Sequence, residues 1–324
     1  MPGLRIFCDA PLSDSALQVL KQGTTSHELI FPRRGTESVL ALTEPDPALE
    51  TADVAFGQPD VRGVLESKRL RWIQLTSAGF SRYDTPEFRS FAKLRGLIVT
   101  NSSAVYAEAC AEHVFAFMLA QARKLPEGIS SRCANGSPQW VALREGSVVL
   151  KNQSAVILGF GAIASRLLEL LSPFDMKVIA MRRNPRGDEG VPTVTPENLR
   201  GALGTADHVI NILPDNAASA QFISAERLGW MKRDAVFYNI GRGTTVDQEA
   251  LSASLRSGHL GAAWLDVTDP EPLPDAHPLW TAPNCHITPH TAGGHRSEPE
   301  TLVRHFLENF SRFLGDMPLR DRII

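Results

Sequence analysis

A chain of 324 residues, 43% hydrophobic and 21% charged, is long enough for two globular cores and has an ordinary folded composition. Its formal net charge of -3, with no block of like charge, gives no sign of a polyanion or an anionic membrane as the main partner, so neither nucleic acid nor membrane is expected. The four cysteines (Cys8, Cys110, Cys133 and Cys285) lie far apart without metal-ligand spacing, so free thiols in the cytoplasm and no metal site are expected.

In chain order, the first β-rich runs are LRIFC (4–8), HELIF (27–31), DVAFG (53–57), RWIQLT (71–76) and LIVT (97–100). Helical patterns lie between several of them, as at 13–21. This alternation predicts a parallel sheet covered on both faces. The start of the chain has no charged segment leading into a long apolar run, so no secretory signal is expected. A helix is predicted over 106–123, where Ala107, Cys110, Ala111, Val114, Phe117 and Met118 recur at three- and four-residue spacing. Its apolar stretch at 114–119 is too short to span a bilayer and reads as buried.

The glycines and proline of 134–146 read as a loop-rich patch. A second strand series follows: SAVILG (154–159), KVIAM (177–181), HVINIL (208–213), AVFYNI (235–240), AAWLDV (262–267) and CHIT (285–288). Six β-like runs separated by helices are the count of a full dinucleotide-binding sheet. The amphipathic segment 300–314 comes after this series has ended, so it is expected to return to the first domain and make that domain discontinuous.

The run 155–158 leads into Gly159-Phe160-Gly161-Ala162-Ile163-Ala164 and then a helical pattern. This is G-x-G-x-x-A in its strand–turn–helix context. The first glycine permits the tight turn, the second lets backbone approach a pyrophosphate, and a small third residue packs helix on strand. The helix N-terminus offers free N–H groups to phosphate. The next strand ends in Arg182-Arg183. An NAD enzyme carries an acid in this window for the ribose hydroxyls, whereas a cation suits a 2′-phosphate. NADP(H) is therefore the expected cofactor, with NAD(H) as the alternative.

Three later segments fall at strand ends, where open α/β sheets collect ligands. They are Asn239-Ile240-Gly241-Arg242-Gly243, the run from Asp266 to Pro274, and Thr288-Pro289-His290-Thr291-Ala292-Gly293. Reduction of a keto acid needs a cation for the carboxylate and carbonyl, which Arg242 supplies, and a proton donor, which His290 supplies. Glu271 can accept a hydrogen bond from His290 and fix its tautomer. Singly, each also has a structural reading: a surface charge, a loop acid, a packed histidine.

The order of G-x-G-x-x-A, NIGRG, DVTDPEPLP and PLW-x(4)-N-x-x-I-TPH-x-A-G resembles the D-isomer-specific 2-hydroxyacid dehydrogenase family, from about residue 70 to 314. The stretches at 101–106 and 231–239 and the triplet Ala111-Glu112-His113 add to the likeness. The resemblance implies two doubly wound parallel-sheet α/β domains, with a Rossmann domain (102–290) inserted into a discontinuous flavodoxin-like substrate domain (1–101 and 291–324). It implies Arg242, Glu271 and His290 as the catalytic set, with Asp266 as a ligand of the nicotinamide carboxamide. It implies backbone N–H groups at Ala78 and Gly79 for the substrate carboxylate, alongside Arg242 and His290. The full cofactor set expected is Gly159, Phe160, Gly161, Ala162, Ile163, Arg182, Arg183, Leu213, Pro214, Ile240, Gly241, Asp266, His290 and Gly293. A homodimer acting on a small 2-keto or 2-hydroxy acid, such as glyoxylate or hydroxypyruvate, is the implied assembly and substrate. Three positions depart from the pattern. Ala164 replaces the usual third glycine, Arg182 the NAD-type acid, and Ser81 an aspartate common in the loop after Gly79. A transcriptional corepressor branch looks similar to this family, which keeps a nucleotide-sensing scaffold as the alternative function.

Overall fold

The computed structural model describes residues 3–33 and 45–324. The chain forms two compact units, one from Met1–Tyr106 with Gly294–Ile324 and one from Ala107–Gly293.

In the first unit, short β-branched and aromatic runs become strands, and polar caps start the helices between them. The order is β1 (Arg5–Cys8), α1 (Asp14–Gly23), β2 (Glu28–Ile30), β3 (Val54–Gly57), α2 (Val61–Glu66), β4 (Trp72–Leu75), α3 (Pro86–Arg95) and β5 (Ile98–Thr100). Ser13, Asp60 and Thr85 accept the N–H groups of Ala16, Gly63 and Phe88, satisfying donors that a helix start leaves open. The sheet runs β2-β1-β3-β4-β5 with every pairing parallel, a flavodoxin-like order. All residues of β3 and β4 are buried, as strands covered on both faces require.

The second unit opens within α4 (Ser103–Ala122), followed by α5 (Leu125–Ser130) and α6 (Pro138–Gly146). The patch read as loop thus ends in a helix. Its proline sits in the first turn, Ser137 Oγ accepts the Trp140 N–H, and Gly146 is the last helical residue. The punctuation that suggested a loop is the helix's own start and stop. Then come β6 (Ser154–Leu158), α7 (Ala162–Leu171), β7 (Lys177–Met181), β8 (Thr193–Val194), α8 (Leu199–Leu203), β9 (His208–Asn211), α9 (Ala225–Trp230), β10 (Val236–Asn239), α10 (Gln248–Arg256), β11 (Ala262–Leu265) and β12 (Cys285–Ile287). The sheet therefore has seven strands where six runs were expected. β8 is two residues long, too short to show a period, and is defined by pairing with β7.

The order β12-β11-β10-β9-β6-β7-β8 is all parallel. It is the Rossmann order extended by one strand, and it reverses direction at β6. The core is built from strand residues such as Val156, Leu158, Phe237 and Leu265 against helix residues Leu199, Leu228, Leu251 and Leu255. Each fully buried side chain of this size contributes about 1.5–3 kcal/mol.

The last helix, α11 (Glu298–Leu314), belongs to the first unit. Its buried face carries Leu302, Val303, Phe306 and Phe310, and Phe306 stacks on Phe56 and Trp72 at 4.5 and 5.3 Å between ring centroids. Among the described residues, no helix is long and apolar enough to cross a membrane, and no cluster of His, Cys, Asp or Glu could hold a metal ion.

Candidate active site

The glycine loop follows β6, the strand at which the sheet order reverses. Gly159 has φ +97°, a conformation that disfavours any residue with a Cβ. Gly161 is the N-cap of α7, with no side-chain cap, and a Cβ built on it meets nothing within 4 Å. The space beside it and the uncapped first turn form a cradle that suits a pyrophosphate. Phe160 and Ile163 are half-buried, while Gly161 and Ala162 are exposed. The residues present therefore fit a dinucleotide.

Leu213 and Pro214 follow β9, and Ile240 and Gly241 follow β10. A Cβ on Gly159 would stand 3.5 Å from Leu213 Cδ2, and one on Gly241 would stand 2.6 Å from the Leu213 carbonyl oxygen. Three loops from adjacent strand ends thus converge. Arg182 and Arg183 lie just beyond β7; Arg183 is exposed, and Arg182 pairs with Glu189 at 3.0 Å.

Arg242 sits between two glycines that pack against other backbone. A Cβ on Gly243 would lie 2.0 Å from the Thr268 carbonyl, so only glycine permits this approach. The Arg242 carbonyl accepts from Thr245 Oγ1 at 2.6 Å and Asn239 Nδ2 at 3.2 Å. Asn211 Nδ2 donates to Asn239 Oδ1 at 2.9 Å and to Thr245 Oγ1 at 2.7 Å. This buried network ties the ends of β9 and β10 together and fixes the turn that carries Arg242. Asn211 and Thr245 were not singled out from sequence; the signal was that both HVIN and VFYN end a buried strand on asparagine.

Glu271 and His290 meet. His290 Nδ1 and Glu271 Oε2 are 2.8 Å apart, and Glu271 Oε1 accepts the Thr268 N–H at 2.9 Å. Gln248, from the start of α10, accepts the Asp269 N–H at 3.0 Å and so anchors the same loop. The Asp269–Pro270 and Glu271–Pro272 peptides are both cis. Burial pushes the Glu271 carboxyl up, but the bonds from His290 and Thr268 and the charges of His290 and Arg242 outweigh it, so its pKa falls below the ordinary value. Arg242 is thus electrostatically part of the pair's surroundings.

His290 has φ +53°, a left-handed conformation costing about 1–3 kcal/mol for a residue of this kind. The surrounding bonds hold it there. Its N–H donates to the Asp266 carbonyl at 2.8 Å. The Asp266 carboxylate, nearly inaccessible to solvent, accepts from Thr288 Oγ1 at 2.6 Å and from the N–H groups of Thr291 and Ala292 at 2.9 Å each. His113 stands on the other side of Asp266, with Nε2 3.6 Å from Oδ1. Burial lowers the His113 pKa more than Asp266 raises it. Gly293, half-buried, is the last residue of this unit.

Ala78 and Gly79 belong to the first unit, in the loop after β4. Asn101 Nδ2 donates to the Ala78 carbonyl at 2.7 Å, and Ser77 Oγ donates to the Gly79 carbonyl at 2.5 Å. These bonds occupy the carbonyls and set the loop's shape.

With this geometry in place, the likeness to known proteins is informative. The family described as D-isomer specific 2-hydroxyacid dehydrogenase, NAD binding domain, matches residues 115–292. A glyoxylate reductase from Aeropyrum pernix is 32% identical over 262 residues, 78% of this chain and 76% of the relative. A Corynebacterium melassecola protein named only by its position in the proB 3′ region is 39% identical over 199 residues, 59% of this chain and 63% of that one. The crystal structure of a D-isomer specific 2-hydroxyacid dehydrogenase from Xanthobacter autotrophicus, in complex with NADPH and MES, is 26% identical with a TM-score of 0.78, covering 100% of this chain and 98% of that one. A nucleotide-binding sheet with a glycine cradle, a strand-end arginine and a carboxylate–histidine pair, in a chain with these relatives, belongs to the D-isomer-specific 2-hydroxyacid dehydrogenase family.

Proposed function

We propose that the protein reduces a small 2-keto acid, of the size of glyoxylate or hydroxypyruvate, to the D-2-hydroxy acid with NADPH. The observation that carries this reading is the 2.8 Å contact of Glu271 with His290 at the strand ends of the sheet that bears the glycine cradle. The name of the Aeropyrum relative supports the substrate class, and the NADPH in the Xanthobacter structure supports the cofactor.

The residues divide the work as follows. Gly159, Phe160, Gly161, Ala162 and Ile163 would hold the pyrophosphate, Arg182 and Arg183 the 2′-phosphate, and Leu213, Pro214, Ile240, Gly241 and Gly293 the remaining walls. Bound NADPH supplies the hydride. The Arg242 guanidinium engages the substrate carboxylate and polarises the keto oxygen. Glu271 holds Nδ1 of His290, leaving Nε2 to give its proton to that oxygen as negative charge develops there. Asp266 clamps the backbone after His290 and is our candidate for the nicotinamide amide. The N–H groups of Ala78 and Gly79 are our candidates for the substrate carboxylate, on the family likeness. The first unit would then be the substrate domain.

We read the assembly as a homodimer, supported by apolar side chains exposed on and around α5 and α6: Ile129 is 83% exposed and Val149 62%. The reaction itself is tested by His290→Ala. The variant is expected to lose on the order of a hundredfold or more in kcat with a keto acid, while NADPH still binds. Turnover surviving the change would remove His290 from the proton-donor role.

A further inference from the structure

An ionised side chain buried with no obvious duty lies beside the expected phosphate site. Glu189 stands on the connection from β7 to β8, and its side chain is only 1% exposed. Burying a carboxylate is costly unless every lone pair is engaged. Here Oε1 accepts the Arg186 N–H at 2.7 Å and lies 3.0 Å from Arg182 Nη1, while Oε2 accepts the Gly187 N–H at 2.8 Å. Those bonds, led by that of Arg186, hold its carboxyl below the ordinary range. Both oxygens thus hold the connection's own N–H groups and the Arg182 guanidinium. Arg182 is fixed at both ends, its N–H donating to the Val194 carbonyl at 3.0 Å and its guanidinium gripped by Glu189. Arg183 and Arg186 remain exposed on the same connection, with Asp188 beside them.

We propose that Glu189 is a specificity-determining positioning residue, which folds the 183–188 connection about its carboxylate and orients the Arg182 fork to receive an adenosine 2′-phosphate. This rests on the NADPH reading above. An arginine free in solvent must be ordered when phosphate arrives, whereas a guanidinium already held pays less of that entropy. Glu189 therefore favours the phosphorylated cofactor without touching it.

The test compares binding of NADPH and NADH to the purified full-length protein and to the Glu189→Gln, Arg182→Gln and doubly substituted variants, by fluorescence of the reduced nicotinamide. The amide keeps the shape but sets donor against donor and loses the charge. Glu189→Gln is expected to raise the NADPH Kd about tenfold, the scale of one charge-assisted hydrogen bond, and to leave the NADH Kd within about twofold. The unchanged NADH Kd reports that the variant is folded. Because Glu189 acts through Arg182, the double variant should lose less than the sum of the two single losses. Equal weakening of both cofactors, or additive losses, would overturn the proposal. A wild type that prefers NADPH, with the preference kept in Glu189→Gln, would overturn the role of Glu189 alone. A wild type with no preference would overturn the NADPH reading with it.

Discussion

His290 shows how much of the site was legible residue by residue. Its pairing with Glu271 followed from the chemistry each could perform at a strand end, and the two stand in hydrogen-bond contact. Its left-handed backbone and the Asp266 clamp behind it were not legible, because the bonds from Thr288, Thr291 and Ala292 form only once the chain folds back on Asp266. Glu189 was hidden for a similar reason: an acid in a polar, glycine-containing connection normally reads as solvated. A third buried polar residue gives a prediction at this scale. His208 is held between Gln153 Oε1 at 2.6 Å and the Tyr238 hydroxyl at 2.9 Å. Burial lowers its pKa from 6.5 to about 4. The unfolded chain thus binds a proton at His208 more readily, so stability is full above pH 6.5 and falls as the pH drops toward about 4. The loss should reach about 3 kcal/mol at the acid end. Denaturant titrations at a series of pH values should show it, and His208→Gln should flatten this part of the curve; an unchanged slope in the variant would assign the acid sensitivity elsewhere.

At the scale of elements, strands were legible where the chain buries both faces of a sheet, because continuous apolar runs bounded by turn residues have few other uses. The runs at 154–159, 208–213, 235–240 and 262–267 all contain strands, which end one or two residues earlier at Leu158, Asn211, Asn239 and Leu265. β8 escaped notice because two residues carry no period, and α6 because proline and glycine punctuate helix ends as well as loops. The same α5–α6 region carries the prediction for assembly. Ile129, on α5, and Val148 and Val149, which follow α6, expose apolar surface that a second copy would cover. Sedimentation equilibrium should give twice the 35.4 kDa chain mass, and Ile129→Asp should move the equilibrium toward the single chain by placing a charge in the contact. A wild type that sediments as one chain, or a variant that stays fully paired, would contradict the homodimer.

Across the whole molecule, two parallel sheets of different order divide the chain, and the glycine cradle, Arg242, Glu271 and His290 all belong to the sheet whose order reverses at β6. Sequence order alone could not give that arrangement. It could show that these groups follow strands, and the fold adds that β9, β10, β11 and β12 are successive neighbours, so their ends lie side by side. The central claim is that this constellation performs NADPH-dependent reduction of a small 2-keto acid. Oxidation of NADPH and of NADH by the purified wild-type protein, followed by nicotinamide absorbance with glyoxylate, hydroxypyruvate, pyruvate and a branched 2-keto acid, tests it most directly. The account predicts rapid NADPH oxidation with glyoxylate or hydroxypyruvate and little oxidation of NADH. Cofactor binding without turnover of any of these four 2-keto acids would contradict it and favour a nucleotide-binding scaffold or a substrate of another class.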